Sequence, residues 1–360
     1  MTTETKTLSK PYYEALDGLR GTAAIVILAF HYLEMIYPDY SDNLLGHGFL
    51  AVDFFFCLSG FVIGFAYDGR IRKIGIKGFL INRLIRLHPL VVFGSIIGFA
   101  GYILNPWMQE PLEWGKIGPA LIGSVLLIPT PILSGRLGGL FPYNTPSWSL
   151  FLEYIINIVY AFVLYRIKKN GLLVLCCLCA AWLTYTSYKS GWLINGWSID
   201  NVTDGLPRVC FSFIAGLLIY RFGLTIKNKL GFILPFLLLM AAFVYPHIEN
   251  DWLTEALLTI VLFPLIISIG AETNVTGLMK KICIFIGKLS YPLYMTHIPV
   301  VWIFTDYYNT VKPEGMKLVL IVSCLIVFNL LFAYAVMRWY DEPVRAWLTR
   351  IKNQGNRILI

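Results

Sequence analysis

Four titratable residues, one from each of four largely apolar stretches, stand out: His31, Asp53, Glu153 and His297. Ionisable groups in a hydrocarbon setting are costly to place, so each is a candidate for proton transfer or ligand binding. His31 follows Arg20 by eleven residues. On a helix that separation is a rise of about 16 Å with about 20° of rotation, so guanidinium and imidazole share a face. Asp53, in GFLAVDFFFCLSGF, lies about 7 Å into the next apolar run, level with His31. A carboxylate at the depth of an imidazole fixes its tautomer and raises its basicity. Glu153 lies about 9 Å into the run that opens with PSWSLFLEY, and His297 about 15 Å beyond Gly287. Arg83 and Arg86, in INRLIRLHPL, share a helix face, and two guanidinium groups so placed suit a phosphate or pyrophosphate. Each residue also has a plainer use: Arg20 as an interfacial anchor, His31 as a hydrogen-bonded core imidazole, Asp53 as a helix cap, Arg83 and Arg86 as topology signals. Four such groups from four segments reaching one half of a bundle favour chemistry.

Other chemistries have no motif. There is no glycine-rich phosphate loop, no zinc motif and no Gly-x-Ser-x-Gly elbow, so no bound metal is expected. Ser59, beside Gly60, reads as a small packing residue. The seven cysteines all fall in apolar runs, and Cys176 and Cys179, although spaced C-x-x-C, have no His or carboxylate beside them and read as packing groups.

The elements that must position these residues follow from composition. Of 360 residues, 57% are apolar and only 14% charged, against roughly 25% charged in a soluble domain. That excludes a cytosolic enzyme, a disordered chain and a coiled coil. Apolar runs near 20 residues predict an all-α membrane protein, one domain over 1–360, with about ten transmembrane helices. They are expected at 22–38, 48–67, 87–104, 148–165, 171–188, 206–222, 230–248, 252–270, 284–304 and 316–338. The segment 118–133 carries Pro119, Gly123, Pro129 and Pro131 and is expected to be re-entrant or interfacial. With ten spans most of the 29 Lys and Arg fall on one side, which predicts a multi-pass cell-membrane protein with both termini cytoplasmic. The net charge of +8 then faces an anionic leaflet of the lipid bilayer, and no nucleic-acid partner is implied. The polar N-terminus has no cleavable signal architecture.

In order along the chain, these segments resemble the integral-membrane acyltransferase-3 family. LDGLRGTAAIVILAFH resembles its first helix, with Arg20 and His31; GFLAVDFFFCLSGFVIG its second, with Asp53, Phe55, Phe56, Ser59 and Gly60. NRLIRLHP carries its Arg-x-x-Arg on Arg83 and Arg86, PSWSLFLEY its Trp-Ser-Leu segment with Glu153. GKLSYPLYMTH resembles the block ending on His297, and YDEPVR the terminal Glu-x-Pro on Glu342 and Pro343. The resemblance implies transfer of an acyl group, usually acetyl, from cytoplasmic acyl-CoA to a hydroxyl on a glycan, lipid or small molecule. It is to the stand-alone members, without a fused SGNH hydrolase-like domain. Acyl-CoA (acetyl-CoA) is then a co-substrate and no permanently bound cofactor is expected.

Residues and resemblance combine into one expected mechanism. Arg83 and Arg86 hold the donor phosphates, Arg20 guides the arm inward, and the 16 Å rise from Arg20 to His31, as about eleven helical residues, matches the reach of a pantetheine arm. His31, oriented by Asp53, acts as general base or as transient acyl carrier; the sequence leaves both open. Glu153 and His297 serve acceptor binding or proton handling. The rival reading is a proton-coupled transporter or flippase, which would show internal repeats with paired broken helices, and none is evident.

Overall fold

The computed structural model describes residues 12–133, 138–248 and 250–358, with side chains to 354. Lys6, Lys10 and Arg136, part of the charge pattern, lie outside the described residues. Those described form helices, with no strand beyond an isolated bridge between Gly139 and Ser198. This is the expected outcome for apolar runs in lipid, where a backbone group can be satisfied only within its own segment. The helices are α1 (Glu14–Ile36), α2 (Ala51–Tyr67), α3 (Ile71–Leu104), α4 (Trp114–Leu126), α5 (Ser147–Phe162), α6 (Lys169–Ser190) and α7 (Gly205–Phe222). They continue with α8 (Ile233–Val244), α9 (Trp252–Leu257), α10 (Phe263–Glu272), α11 (Gly277–Val311), α12 (Gly315–Val336) and α13 (Glu342–Ile358). A π-turn over Leu258–Leu262 joins α9 to α10.

Among the described residues seven candidate spans are long and apolar enough to cross a membrane: α1, α2, α3, α6, α7, the α9–α10 pair and the run that opens with α12. The remaining expected positions are occupied by two shorter apolar helices, α5 and α8, and by the long α11. Every position read from the sequence as a span thus carries a helix. The first part of segment 118–133 lies in a 13-residue helix, α4 (Trp114–Leu126), closed by Leu127 in the left-handed region, and the rest is not helical. The helix length of about 20 Å falls short of a bilayer core of about 30 Å. Helix α13, outside the expected spans, exposes Trp347 and Ile351 one turn apart.

Two helix pairs form the centre: α1 lies along α11, and α2 along α7. The second pair is set by reciprocal glycines. A Cβ on Gly60 would collide with the Phe213 carbonyl, and one on Gly216 with the Cys57 carbonyl, so only glycine lets these backbones touch. Along α1 and α11 the contacts run in parallel, from Glu14 with Lys280 (2.6 Å) through Arg20 with Gly287 (2.7 Å) to His31 beside His297.

Helix α11 contains Pro292 and Pro299. A proline lacks the N–H that would bond the carbonyl four residues back, which frees the carbonyl of Met295. Asn144 Nδ2 takes it at 2.9 Å. The break is thereby satisfied inside protein, and the irregular turn carries Tyr294 and His297.

Candidate active site

The end of the bundle from which α1 and α11 start also holds Arg221, whose guanidinium binds Asp68 (2.6 and 3.0 Å) and the carbonyls of Leu164 and Ile167. This basic end opens into a cavity of about 450 Å³ between α1, α2, α3, α5, α11 and the start of α13. Arg20, Arg83, Arg86, Lys288 and Arg345 line it, with Glu153, Asp341 and Glu342 as counter-charges. Arg86 is exposed, whereas Arg83, one turn along α3, is buried. Arg83 Nη2 donates to Glu153 Oε1 at 2.5 Å, and Ser59 Oγ donates to the same oxygen at 2.9 Å. Ser59 is therefore a polar member of the cavity wall and not only a packing residue. Arg83 Nε is buried without a protein acceptor. Arg20 is anchored by Asp17 (2.7 Å), the Gly287 carbonyl (2.7 Å) and Ser290 Oγ (3.0 Å).

At its inner limit the cavity is lined by Phe55 and Tyr294, whose rings meet edge to face at 5.9 Å. Tyr294 in turn lies 6.0 Å from the His297 ring, and His297 stacks on His31 at 5.2 Å and 27°. The sequence-derived candidates Arg20, Arg83, Arg86 and Glu153 thus meet in one cavity, and His31 and His297 form a pair just beyond it. His297 Nδ1 donates to the Leu293 carbonyl at 3.0 Å, leaving Nε2 as a buried lone pair without a protein partner.

Asp53 is the exception. The expected His31–Asp53 couple is not formed, because both Asp53 oxygens are taken by Arg208, Nε at 3.1 Å and Nη2 at 2.6 Å. Arg208 also donates to the Asn195 carbonyl and lies over the Trp148 ring. The carboxylate that holds His31 is Glu34, one turn along α1, which bonds its Nδ1. Tyr40 donates its hydroxyl to the other Glu34 oxygen at 3.0 Å. Burial, together with the adjacent carboxylate, holds the Tyr40 phenol well above its usual value, so it stays protonated as the donor. With Nδ1–H directed to Glu34, His31 presents Nε2 as a base, the arrangement used wherever a carboxylate orients a catalytic imidazole. Glu34, Tyr40 and Arg208 were missed in the sequence. The Glu34 signal was present as spacing: positions three apart on a helix meet.

Comparisons with known proteins place the chain in a family. Residues 13–338 match the family described as an acyltransferase domain. Protein 2 in the picA locus of Rhizobium radiobacter is 34% identical over 157 residues, 41% of this chain and 79% of that protein. Acyltransferase MdmB of Streptomyces mycarofaciens is 26% identical over 319 residues, 80% of this chain and 78% of its own. O-acetyltransferase OatA of Staphylococcus aureus is 24% identical over an alignment taking in 99% of this chain but 62% of that relative. No solved structure matches. A family match over nearly the whole length, on a bundle of apolar helices with a basic cavity leading toward a paired imidazole, makes this chain a membrane enzyme of the acyltransferase-3 family.

Proposed function

We propose that the protein moves an acetyl group from acetyl-CoA, bound at the basic end and entering from the cytoplasm, to a hydroxyl of a glycan, lipid or small molecule on the other side. The observation that carries this reading is the cavity: its basic mouth suits a nucleotide-linked pyrophosphate, and its inner limit lies beside the histidine pair. In this scheme Arg86, Lys288 and Arg345 receive the phosphates, while Arg83, held by Glu153, lines the path of the pantetheine arm. His31 Nε2 takes the acceptor hydroxyl proton as the oxygen attacks the thioester carbonyl, and the departing thiolate recovers a proton. In the carrier variant His31 Nε2 attacks first, the thiolate leaves, and the hydroxyl then displaces imidazole. Glu34 supports the imidazolium formed in either route. The relatives named acyltransferase and O-acetyltransferase support a hydroxyl as acceptor. Both termini, on this reading, face the cytoplasm with the basic end.

The test is reconstitution in liposomes with radiolabelled acetyl-CoA and a panel of glycan and lipid acceptors. His31→Ala is expected to abolish transfer while retaining donor binding, since the basic mouth is untouched. Transfer by His31→Ala at the wild-type rate would overturn the role of His31. Failure of wild-type vesicles to acetylate any hydroxyl acceptor, with proton-coupled solute movement instead, would overturn the enzymatic assignment of the site.

A further inference from the structure

At the end of the bundle opposite the basic cavity, a second cluster lies among the connections between helices. His47 stands just before α2, His247 in the α8–α9 connection, Asp251 at the start of α9 and Glu255 in its first turn. His47, Asp251 and Glu255 side chains have no exposure and that of His247 has 13%. His47 Nε2, His247 Nδ1 and Glu255 Oε1 lie within 4.8 Å of one another. All three, and Asp251 Oδ1, are buried without a hydrogen-bond partner. Three unpaired polar atoms gathered at one point, on His47, His247 and Glu255, are costly unless something there satisfies them.

The orientation of the groups says what that is. His47 Nδ1 donates to the Tyr245 carbonyl at 3.0 Å, which directs the Nε2 lone pair inward. That lone pair meets Asp251 Oδ2 at 3.2 Å and Glu255 Oε1 at 3.6 Å. His247 Nδ1 meets the same oxygens at 3.4 and 4.0 Å. The His47 lone pair facing two carboxylates is repulsive, and a cation between them reverses the sign. The four measured separations bracket the edge of roughly 3.3 Å expected for a tetrahedron of ligands about 2.0–2.1 Å from zinc. Outer contacts orient the ligands as in built metal sites: the Leu193 N–H bonds the other Glu255 oxygen, and the Ile248 N–H bonds Asp251 Oδ2 at 2.8 Å.

We propose that His47, His247 and Glu255 bind a divalent transition cation, zinc by the donor set of imidazole nitrogen and carboxylate oxygen, with Asp251 at the fourth position. Four protein ligands make the site structural. It ties the α1–α2 connection to the α8–α9 connection and, through Leu193, to the α6–α7 connection. The His247 ring also lies 5.8 Å from the ring of Tyr40, whose hydroxyl binds Glu34. The metal thus braces the loop that holds the carboxylate behind His31. No spaced zinc motif announces the site, since its ligands come from segments some two hundred residues apart.

The experiment uses the full chain purified in detergent without added metal. Elemental analysis is expected to find about one zinc per chain, and chelation to lower the unfolding temperature by several degrees. Reloading the stripped protein with Co²⁺ alone should give the intense visible d–d bands of four-coordinate cobalt, and Zn²⁺ should displace them. His247→Gln, at the least buried ligand, should abolish the bands with helix content unchanged. Asp251→Asn should weaken metal affinity by about 10–100-fold if that residue ligates or orients. Folded wild-type protein with less than about a tenth of an equivalent of metal and no tetrahedral cobalt spectrum would overturn the site in favour of a buried His–carboxylate ion cluster. Bands that persist unchanged in His247→Gln would equally overturn it, as adventitious metal only.

Discussion

Two of the arginine–carboxylate pairs in this bundle, Arg208–Asp53 and Arg83–Glu153, differ in what is left over. Arg208 and Asp53 close on each other side-on; Arg208 is 1% exposed and Asp53 not at all, and Asn195 and Trp148 use the rest of the guanidinium. Arg83 and Glu153 touch through one nitrogen and one oxygen, on the wall of a 450 Å³ cavity, with Arg83 Nε unpaired. Burial of charge in an apolar bundle is common to both, so burial does not mark function. What separates them is that Arg83 lines a cavity and keeps its Nε unpaired. The first pair joins α2 to α7 above their glycine contact; on the proposed reading the second exchanges a partner for a ligand.

The largest effect should come from splitting the closed pair. Arg208→Gln or Asp53→Leu alone strands a buried charge, at a cost of about 3–5 kcal/mol, and folded yield and thermal stability in detergent should both fall. The double change Arg208→Met with Asp53→Leu should recover most of the loss. A single variant with wild-type stability and lost turnover would erase the contrast and restore Asp53 to the active site.

Next in size is Glu34→Gln. It keeps the shape but removes the charge behind His31, and turnover should drop by roughly 10²-fold with little change in unfolding temperature. Equal turnover would show that the couple on α1 is packing, like the Arg208 pair.

Arg83→Gln should raise the donor KM by about 10–100-fold, in line with the 1.5–3 kcal/mol of a charge-assisted hydrogen bond. Stability should barely change, because Glu153 remains open to the cavity. Arg83→Lys should rescue only part, lacking the planar fork. If Arg83→Gln instead unfolds the protein as Arg208→Gln does, the two pairs are alike. The smallest effect is expected from Tyr40→Phe, which removes one neutral donor to Glu34 and should slow turnover about 2–10-fold.

Much of this was legible in the sequence. Apolar run length predicted the helix positions, because in lipid no other local structure satisfies the backbone. The stretch 118–133 announced its break through its prolines. Arg20, Arg83, Arg86 and Glu153 were found by type and depth, and one cavity gathers them. What depth cannot supply is azimuth. Asp53 and His31 lie at similar heights, yet Asp53 faces α7, where Arg208 enters in the first turn, and not α1. By position Arg208 is a cation in the first turn of a helix, and only the α2–α7 contact shows it turned inward. Glu34 needed no tertiary knowledge, since it is one helical turn from His31. The His47–His247–Glu255 cluster lay beyond reach, because it forms only when two connections some two hundred residues apart meet.

The parallel pairing of α1 with α11 has a consequence in time. Residues 20 and 287 touch, so the first helix to leave the ribosome finds its main neighbour only after about 260 further residues, roughly 13–50 s at 5–20 residues per second. Until then α1 carries Arg20, His31 and Glu34 without the surface that covers them. When α11 arrives, it brings a proline-freed carbonyl whose partner, Asn144, was made 151 residues earlier. Neither helix is comfortable in lipid alone, and each completes the other. The candidate site is therefore assembled last, by the joining of its oldest and nearly youngest segments, and a chain truncated before α11 would have most of its helices but not the His31–His297 pair.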